Sequence, residues 1–176
     1  MFVIELLEAA DIDLHRADLL ALLTDAVNGG ASVNFIAPLS PKIGHNFWDK
    51  VRGEVADQTR VVLAAVDKTQ AHGQIIGCVH LALATTPNGT HRAEVQKLLV
   101  HSQHRNKGIG GALMEAAESR ARTLGRSLLV LDTESGSPAE RLYQRQGFVR
   151  SGIIPQYALN HTGTYLIDTV IYYKLI

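Results

Sequence analysis

Apolar residues recur every three or four positions in several stretches of the chain, which is the spacing of a helix that packs one face on a core. Asn28-Gly29-Gly30 and Gly125 supply the glycines that commonly end helices. Pro41 suits a first helical turn. The predicted helices run from a cap at Asp11 or Asp13 to Val27, over 41–57, from Gly108 to Leu124, and from Ser137 or Pro138 to Gln146.

Shorter segments alternate apolar and polar residues or are apolar throughout, as strands are. They are Phe2–Leu7, Val61–Val66, Ile75–Ala84, Ala93–Val100, 127–132, Phe148–Ile154 and Thr164–Lys174. The polar segment Asp67–Gln74 predicts a hairpin turn between the second and third of these strands. Alternation in the fourth strand predicts one face with Glu94, Gln96 and Leu98 and another with Val95, Lys97 and Leu99.

The order strand, helix, strand between residues 93 and 132 predicts a crossover connection. Crossovers of this kind join parallel strands and are nearly always right-handed. The earlier strands are joined by short turns, which suit antiparallel pairs. We therefore expect residues 1–176 to form one α/β domain, with a mixed sheet that is mostly antiparallel and is parallel at its centre.

The chain has 17 basic and 17 acidic residues, so its formal net charge is +0. A neutral chain has no overall field that attracts nucleic acid or an anionic membrane, and we expect neither as a partner. No apolar run approaches the ~20 residues of a membrane span, and Met1–Glu5 lacks a basic signal start, so we expect a cytoplasmic protein. Cys78 is the single cysteine and is expected to pack as a small hydrophobic residue.

One glycine-rich segment joins a predicted strand to a predicted helix, and it reads Arg105-Asn106-Lys107-Gly108-Ile109-Gly110-Gly111. Glycines leave the backbone open to a ligand, and a helix N-terminus presents unpaired N–H groups at the positive end of its dipole. Arg105 and Lys107 add positive charge. The segment therefore predicts a site for a phosphate-bearing ligand.

Other uses of these segments fit less well. A Walker loop needs Lys and then Ser or Thr after its last glycine, whereas Ala112 and Leu113 follow Gly111. The dinucleotide-binding pattern needs a third glycine that this segment lacks. His101 and His104 have the spacing His-x-x-His, but no cysteine or acidic pair completes four ligands, so we expect no metal site.

The pattern Arg-x-x-Gly-x-Gly at 105–110 is followed by Ala139-x-x-x-Tyr143-x-x-x-Gly147-Phe148. Together they resemble the motifs of the GNAT superfamily of acetyl-CoA-dependent N-acyltransferases. Four further segments look like the tabtoxin-resistance acetyltransferase group, and this likeness covers roughly residue 20 to the end of the chain. These segments are Asn28–Val33, Pro87–Gly89, Arg92–Leu98 and Leu131–Glu134.

The resemblance implies a largely antiparallel sheet whose parallel central pair is splayed around acetyl-CoA, with about four flanking helices. It implies that strand 93–100 pairs with pantetheine through free backbone groups, while the turn grips the pyrophosphate. A backbone N–H near Leu98 or Leu99 is then expected to polarise the thioester oxygen. The implied cofactor-binding residues are Leu98, Leu99, Val100, Arg105, Asn106, Lys107, Gly108, Ile109, Gly110, Gly111 and Tyr143.

An attacking amine must lose a proton to a base, and a leaving thiolate benefits from an acid. Glu94 and Asp132 are carboxylates predicted toward the same end of two sheet strands, which makes both candidate bases. In the tabtoxin-resistance group, the residues that match Glu94, Asp132 and Tyr143 form the proposed catalytic set. The resemblance thus implies Glu94 as principal base, Asp132 as its assistant or as a ligand of the substrate amine, and Tyr143 as thiolate acid. Gly136 stands where the superfamily often has an Asn that helps hold the cofactor, and Ser135 or Ser137 is a candidate replacement.

These features predict an enzyme that moves an acetyl group from acetyl-CoA to the amine of a small molecule by direct attack in a ternary complex. The expected acceptor is an amino acid or a toxin-like amine, and the tabtoxin-resistance likeness implies a β-lactam amino acid. Asn28–Val33 is a candidate rim for the acceptor. Two alternatives stay open: a catalytically silent acyl-CoA-binding or sensory domain, and a protein or peptide N-acetyltransferase. A monomer and a homodimer fit the sequence equally.

Overall fold

Strands and helices follow one another in nearly the order that the hydrophobic pattern predicts. The computed structural model describes residues 1–69 and 73–176. The strands are β1 (Phe2–Leu7), β2 (Arg60–Asp67), β3 (Gln74–Leu83), β4 (Arg92–Val100), β5 (Leu128–Glu134), β6 (Val149–Leu159) and β7 (Leu166–Leu175). The helices are α1 (Ala9–Leu14), α2 (Arg16–Asn28), α3 (Pro41–Ala56), α4 (Ile109–Thr123) and α5 (Pro138–Arg145), with a 3-10 turn at Ser102–His104.

All seven strands belong to one sheet in the order β1-β2-β3-β4-β5-β7-β6. The pair β4–β5 is parallel, and the other neighbours are antiparallel. The predicted mixed sheet with a parallel central pair is therefore confirmed. β2 and β3 pair as an antiparallel hairpin, but residues 70–72 of the predicted turn 67–74 lie outside the described residues.

The predicted helix from residue 11 or 13 to Val27 is wrong in one respect, because the segment forms two helices. His15 has φ −99° and ψ 20°, which ends α1 before α2 begins at Arg16. This break lets both Ile12 and Leu19 become fully buried, while Leu14 stays exposed. The described residues thus contain five α-helices where about four were expected.

The two faces of the sheet carry separate cores. One core lies under α4 and includes Val79, Leu113 and Tyr172. The other lies under α1, α2 and α3, where Trp48 is fully buried and its Nε1 donates to the Leu19 carbonyl at 3.1 Å. Trp48 is therefore a core residue. Among the described helices, none is long and apolar enough to cross a membrane.

A glycine in β3 allows α4 to lie close to the sheet. A Cβ on Gly77 would lie 2.9 Å from the Leu99 carbonyl oxygen and 3.3 Å from side-chain atoms of Ile109 and Leu113. Real Cβ atoms rarely approach other atoms so closely, so a larger residue would push α4 away. The N-terminal half of α4 is thus held beside β3, near the end of β4 where Gly77 pairs with Val100.

Candidate active site

β4 and β5 are neighbours in the sheet, but they pair over only part of their lengths. The parallel register joins Arg92 to Leu128, Ala93 to Leu129 and Glu94 to Val130. Beyond Glu94, β4 continues to Val100 while β5 continues to Glu134, and the strands separate around a cavity of about 720 Å³. The edge of β4 that faces this gap has backbone groups available for an extended ligand.

The turn before α4 presents a helix N-terminus beside the cavity. Gly108 has φ +79° and Asn106 has φ +61°, so the chain reverses through two left-handed residues before α4 begins. The Ala112 N–H donates to the Gly108 carbonyl at 3.1 Å, and the N–H groups of 109–111 precede that bond in the helix. These groups and the positive end of the helix dipole form a site suited to an anion.

The predicted cofactor residues divide into two sets. Those that line the cavity are Leu98, Leu99, Val100, Arg105, Gly110 and Tyr143. The remainder, 106–109 and 111, lie around the first turn of α4. The Ile109 side chain is 2% exposed and packs in the core, so its backbone N–H is the part that faces a ligand.

Asp25 at the end of α2 holds the turn in place. Its carboxylate accepts from the Ser102 N–H at 2.8 Å and from the Ser102 hydroxyl at 2.7 Å. Burial acts to raise the pKa of Asp25, but these hydrogen bonds, with His101 and Arg105, bring it below its ordinary value. Arg105 in turn donates from Nε to the Val100 carbonyl at 3.3 Å, which ties the turn to the end of β4.

The two predicted carboxylates both open into the cavity at the point where the strands separate. Glu94 is half-buried and belongs to the last register pair of β4 and β5. Asp132 is exposed and lies two residues beyond Val130, the partner of Glu94. Thr169 Oγ1 lies 3.0 Å from Asp132 Oδ2 and 2.9 Å from the Thr133 carbonyl oxygen, so its single proton is shared between them.

Tyr143 of α5 also lines the cavity and is 7% exposed. Burial raises the pKa of Tyr143 to about 12, and the negative charge of Asp132 acts in the same direction. Its ring packs on Phe148 and Tyr172, with centroid distances of 6.0 and 6.2 Å. Tyr143 is therefore a neutral phenol at ordinary pH, in the same cavity wall as Asp132.

A bulge in β4 overturns part of the predicted alternation. Cys78 pairs with Leu99 while His80 pairs with Gln96, so two residues of β4 lie opposite one residue of β3. Lys97 has φ +49° within this bulge. Because of the extra residue, the side chains that follow it point to the opposite faces of the sheet from those predicted. Leu99 packs under α1–α3, and Leu98 packs on the α4 side. The prediction that Lys97 and Leu99 share a face with Val95 is therefore wrong.

Lys97 instead lines the cavity with Glu94 and Asp132. Its Nζ lies 5.9 Å from the ring centroids of both Phe35 and Phe47. Burial lowers the pKa of Lys97 and the charge of Arg60 lowers it further, whereas Asp132 and Glu94 act in the opposite direction. The sequence carried a signal for this position, since a lysine on a predicted core face indicates that the alternation breaks.

A polar layer of half-buried Glu54, Arg60 and Gln96 and fully buried His80 lies behind Lys97. Arg60 Nε forms an ion pair with Glu54, and its Nη1 donates to Gln96 Oε1 at 3.0 Å. His80 is fully buried, and its ring stacks on Phe47 at an interplanar angle of 6°. Burial, followed by the charges of Arg60 and Lys97, holds the pKa of His80 well below its ordinary value, so the ring is neutral. This layer was missed in the sequence because its members come from four separate elements, α3, β2, β3 and β4.

Two loops complete the cavity wall. Of the predicted acceptor rim Asn28–Val33, residues 29–33 line the cavity, and Asn34 extends this wall. The segment 135–137 precedes α5, where the Gly136 N–H donates to Glu140 Oε1 at 2.7 Å and Ser137 Oγ lies 3.1 Å from Thr133 Oγ1. Across residues 1–69 and 73–176, no group of three or more His, Cys, Asp or Glu side chains is arranged to hold a metal ion.

Comparison with known proteins identifies the family. The model of the acetyltransferase (GNAT) domain matches residues 57–150, which is more than half of the chain. The L-methionine sulfoximine/L-methionine sulfone acetyltransferase of Pseudomonas paraeruginosa is 30% identical over 148 residues, which cover 82% of each protein. This chain belongs to the GNAT acetyltransferase family, and the resemblance inferred from its motifs is confirmed.

Other relatives match part of their own length or match in fold. N-acetyltransferase family 8 member 2 of Rattus norvegicus is 34% identical over 119 residues, 60% of this chain and 53% of that protein, so the chain spans about half of it. The ribosomal-protein-alanine N-acetyltransferase of Brucella melitensis has a TM-score of 0.78 at 23% identity and 99% coverage of both chains. A phosphinothricin acetyltransferase of Sinorhizobium meliloti, solved with AcCoA, has a TM-score of 0.78 at 20% identity, covering 99% of this chain and 88% of its own. These structures share the fold.

Proposed function

We propose that this protein transfers an acetyl group from acetyl-CoA to the amine of a small amino-acid-like molecule, with both substrates bound together. The observation that carries the proposal is the fork between β4 and β5, where Glu94 and Asp132 open into one cavity beside the N-terminus of α4. The Pseudomonas relative, which acts by its name on methionine sulfoximine and methionine sulfone, supports an amino-acid-like acceptor.

The residues around the cavity fit a ligand with a diphosphate at one end and an extended amide chain at the other. The N–H groups at 109–111 and the guanidinium of Arg105 suit the diphosphate. The free edge of β4 from Leu98 to Val100 suits the amides of the pantetheine arm. Bound acetyl-CoA supplies an activated acetyl group as a thioester.

Glu94 acts as the principal base in this proposal, and Asp132 assists it or binds the acceptor amine. Glu94 is half-buried at the fork, in the part of the cavity that is lined by Lys97, Asp132 and 29–34 and forms the acceptor side in this proposal. It takes one proton from the acceptor ammonium, which frees the nitrogen lone pair for attack. The carbon–nitrogen bond then forms as the carbon–sulfur bond breaks, and a second proton leaves the nitrogen.

Tyr143 acts as the acid that protonates the leaving sulfur. Its phenol is neutral because burial raises its pKa to about 12, and it lines the same cavity as the two carboxylates. The second proton lost from the acceptor nitrogen passes to Asp132 or to solvent, and the phenolate left after Tyr143 protonates the sulfur regains a proton from solvent. No covalent enzyme intermediate is needed, since the buried thiol of Cys78 does not line the cavity.

Thiol release from acetyl-CoA across amino acids, polyamines and peptides tests the proposal. Glu94→Gln keeps the size of the side chain but removes the base, so kcat is expected to fall about 10²- to 10⁴-fold while the affinity for coenzyme A stays nearly unchanged. Glu115→Gln is the matched control, because Glu115 is exposed on α4 and lies outside the cavity wall.

Two results would contradict the proposal in different ways. Wild-type rates in Glu94→Gln would remove Glu94 from the role of base but leave the transfer reaction in place. Tight binding of coenzyme A without acetyl transfer to any amine would instead favour a catalytically silent acyl-CoA-binding domain.

A further inference from the structure

Lys97 places a positive charge in the acceptor side of the cavity. The bulge in β4 holds its backbone at φ +49°, a conformation that few residues other than glycine adopt, and this turns the side chain away from the core. The side chain is half-buried, and Nζ lies 5.9 Å from the ring centroids of Phe35 and Phe47. Aromatic faces stabilise an ammonium without neutralising it.

Nothing in the described parts of the chain neutralises this ammonium at contact distance. Over residues 1–69 and 73–176, no carboxylate lies within 4.0 Å of Lys97 Nζ, although Glu94 and Asp132 are near enough to influence it. The neighbouring cation, Arg60, differs because Glu54 and Gln96 already engage its guanidinium. The ammonium of Lys97 is thus partly desolvated and faces the cavity. Its N–H donors are available to a ligand.

The cavity therefore presents both signs of charge to one ligand. Glu94 and Asp132 supply negative charge and Lys97 supplies positive charge, and all three line the same cavity. His80 behind Lys97 is neutral and fully buried, so it adds no charge of either sign. A ligand that carries an ammonium and a carboxylate a few bonds apart complements such a surface.

We propose that Lys97 binds the carboxylate of the acceptor, so that the acceptor is a free α-amino acid or a close analogue whose amine faces Glu94. This inference rests on the proposed acetyl transfer and narrows it to one class of amine. Polyamines lack the carboxylate and bring excess positive charge to Lys97. Peptide N-termini carry an amide where the α-carboxylate of a free amino acid would lie.

A comparison of matched acceptors tests the inference with the unaltered protein. Free α-amino acids, with methionine sulfone and methionine sulfoximine among them, are each paired with the α-carboxamide of the same compound. At saturating acetyl-CoA, kcat/KM for the best amino acid is expected to exceed that of its carboxamide by about 10- to 100-fold, the range for a charge-assisted hydrogen bond in a desolvated site.

Two substitutions then assign this preference to Lys97. Lys97→Met keeps the length of the side chain and removes its charge. Lys97→Gln also removes the charge but retains a hydrogen-bond donor, and it serves as the second variant should Lys97→Met fail to fold. Both are expected to raise KM for the amino acid about 10- to 100-fold while kcat/KM for the carboxamide and KM for acetyl-CoA change less than about threefold. Lys42→Met, on the exposed surface of α3, is the control.

The possible outcomes separate this inference from the proposed function. Loss of the acid-over-amide preference in the Lys97 variants supports the carboxylate contact. Equal losses of kcat/KM on the amino acid and on its carboxamide in the Lys97 variants would overturn the inference. It would also be overturned if the wild-type protein acetylated carboxamides or simple amines as well as amino acids. In both cases the proposed acetyl transfer itself would stand. Failure to acetylate any amine would overturn both.

Discussion

The turn at 101–111 and the acceptor side of the cavity are built in different ways. The turn is one continuous segment, and its contribution comes largely from backbone N–H groups and from φ angles at Asn106 and Gly108. The acceptor side brings together Glu94 and Lys97 from β4 and Asp132 from β5, with the 29–34 loop as its rim and the Glu54–Arg60 ion pair behind it. Side-chain charge dominates there.

On the proposed roles of the two regions, relatives can share one cofactor site while they differ in the amine that they accept. A backbone site depends on local conformation, so it tolerates change in the side chains around it. A site assembled from distant side chains changes its ligand with a single substitution or a shift of register. Lys97 is an example, because a β4 without its bulge would turn this ammonium into the core.

Tyr143 lies where the two regions meet, and its removal is expected to have the largest effect of the variants considered next. In Tyr143→Phe, kcat for thiol release should fall about 10²-fold, since a positioned general acid is lost, while coenzyme A affinity changes less than about threefold. Because burial raises the pKa of Tyr143 to about 12, the wild-type phenol stays protonated through the usual assay range. No fall in kcat from ionisation of Tyr143 is therefore expected below about pH 11.

The control is Tyr165→Phe, because Tyr165 is 60% exposed and lies outside the cavity wall. A Tyr143→Phe variant that keeps the wild-type kcat would show that water, and not the phenol, protonates the sulfur. An alkaline fall in kcat near pH 9 that Tyr143→Phe abolishes would show that the phenol ionises well below the range its burial implies.

The sequence predicted the turn and the succession of strands and helices along the chain because local spacing determines both. The prediction of α4 and of the crossover needed only helical periodicity and glycine positions, and the structure confirms it within one residue at each end. The alternation in β4 failed at Lys97, because a bulge is set by pairing with β3 and not by β4 alone. The contact between Glu54 and Arg60 was also not predicted, because it depends on how the end of α3 lies against the start of β2.

A charge placed at Gly108 should weaken the turn and spare the acceptor side. No described atom lies within 4 Å of a Cβ built on Gly108, so the obstacle to a side chain there is φ +79° and not packing. Asn and Asp tolerate this region about equally and have the same shape. Gly108→Asp is expected to raise the Kd of coenzyme A about 10- to 100-fold relative to Gly108→Asn, because its carboxylate repels a diphosphate at the helix end.

Calorimetric titration with coenzyme A at two salt concentrations measures this difference. The ratio of the two Kd values should shrink as salt rises, since an exposed charge is screened. KM for the amine should be the same in both variants. Equal affinities of the Asp and Asn variants at low salt would mean that the diphosphate binds elsewhere, and the contrast between the two regions would lose its basis.

Cys78 should show the smallest effect, because it lies in the closed layer behind Lys97. Its Sγ lies 3.6 Å from the Lys97 carbonyl oxygen and 3.9 Å from His80 Nε2, and the residue is fully buried. Burial raises the pKa of the Cys78 thiol to about 12, with the charge of Lys97 opposing it. At pH 8 the reactive thiolate is thus scarce, on the order of 10⁻⁴ of the thiol.

A thiol reagent at pH 8 is therefore expected to leave the activity of the native protein unchanged and to label one thiol per chain only after unfolding in denaturant. Because burial raises the pKa of the thiol, Cys78 should stay protected from the reagent as the pH rises toward 10. This protection should weaken as the pH nears 12. Rapid labelling of the native protein would show that the layer behind Lys97 opens. The choice of acceptor would then depend on movement of this layer as well as on the fixed charges of the cavity.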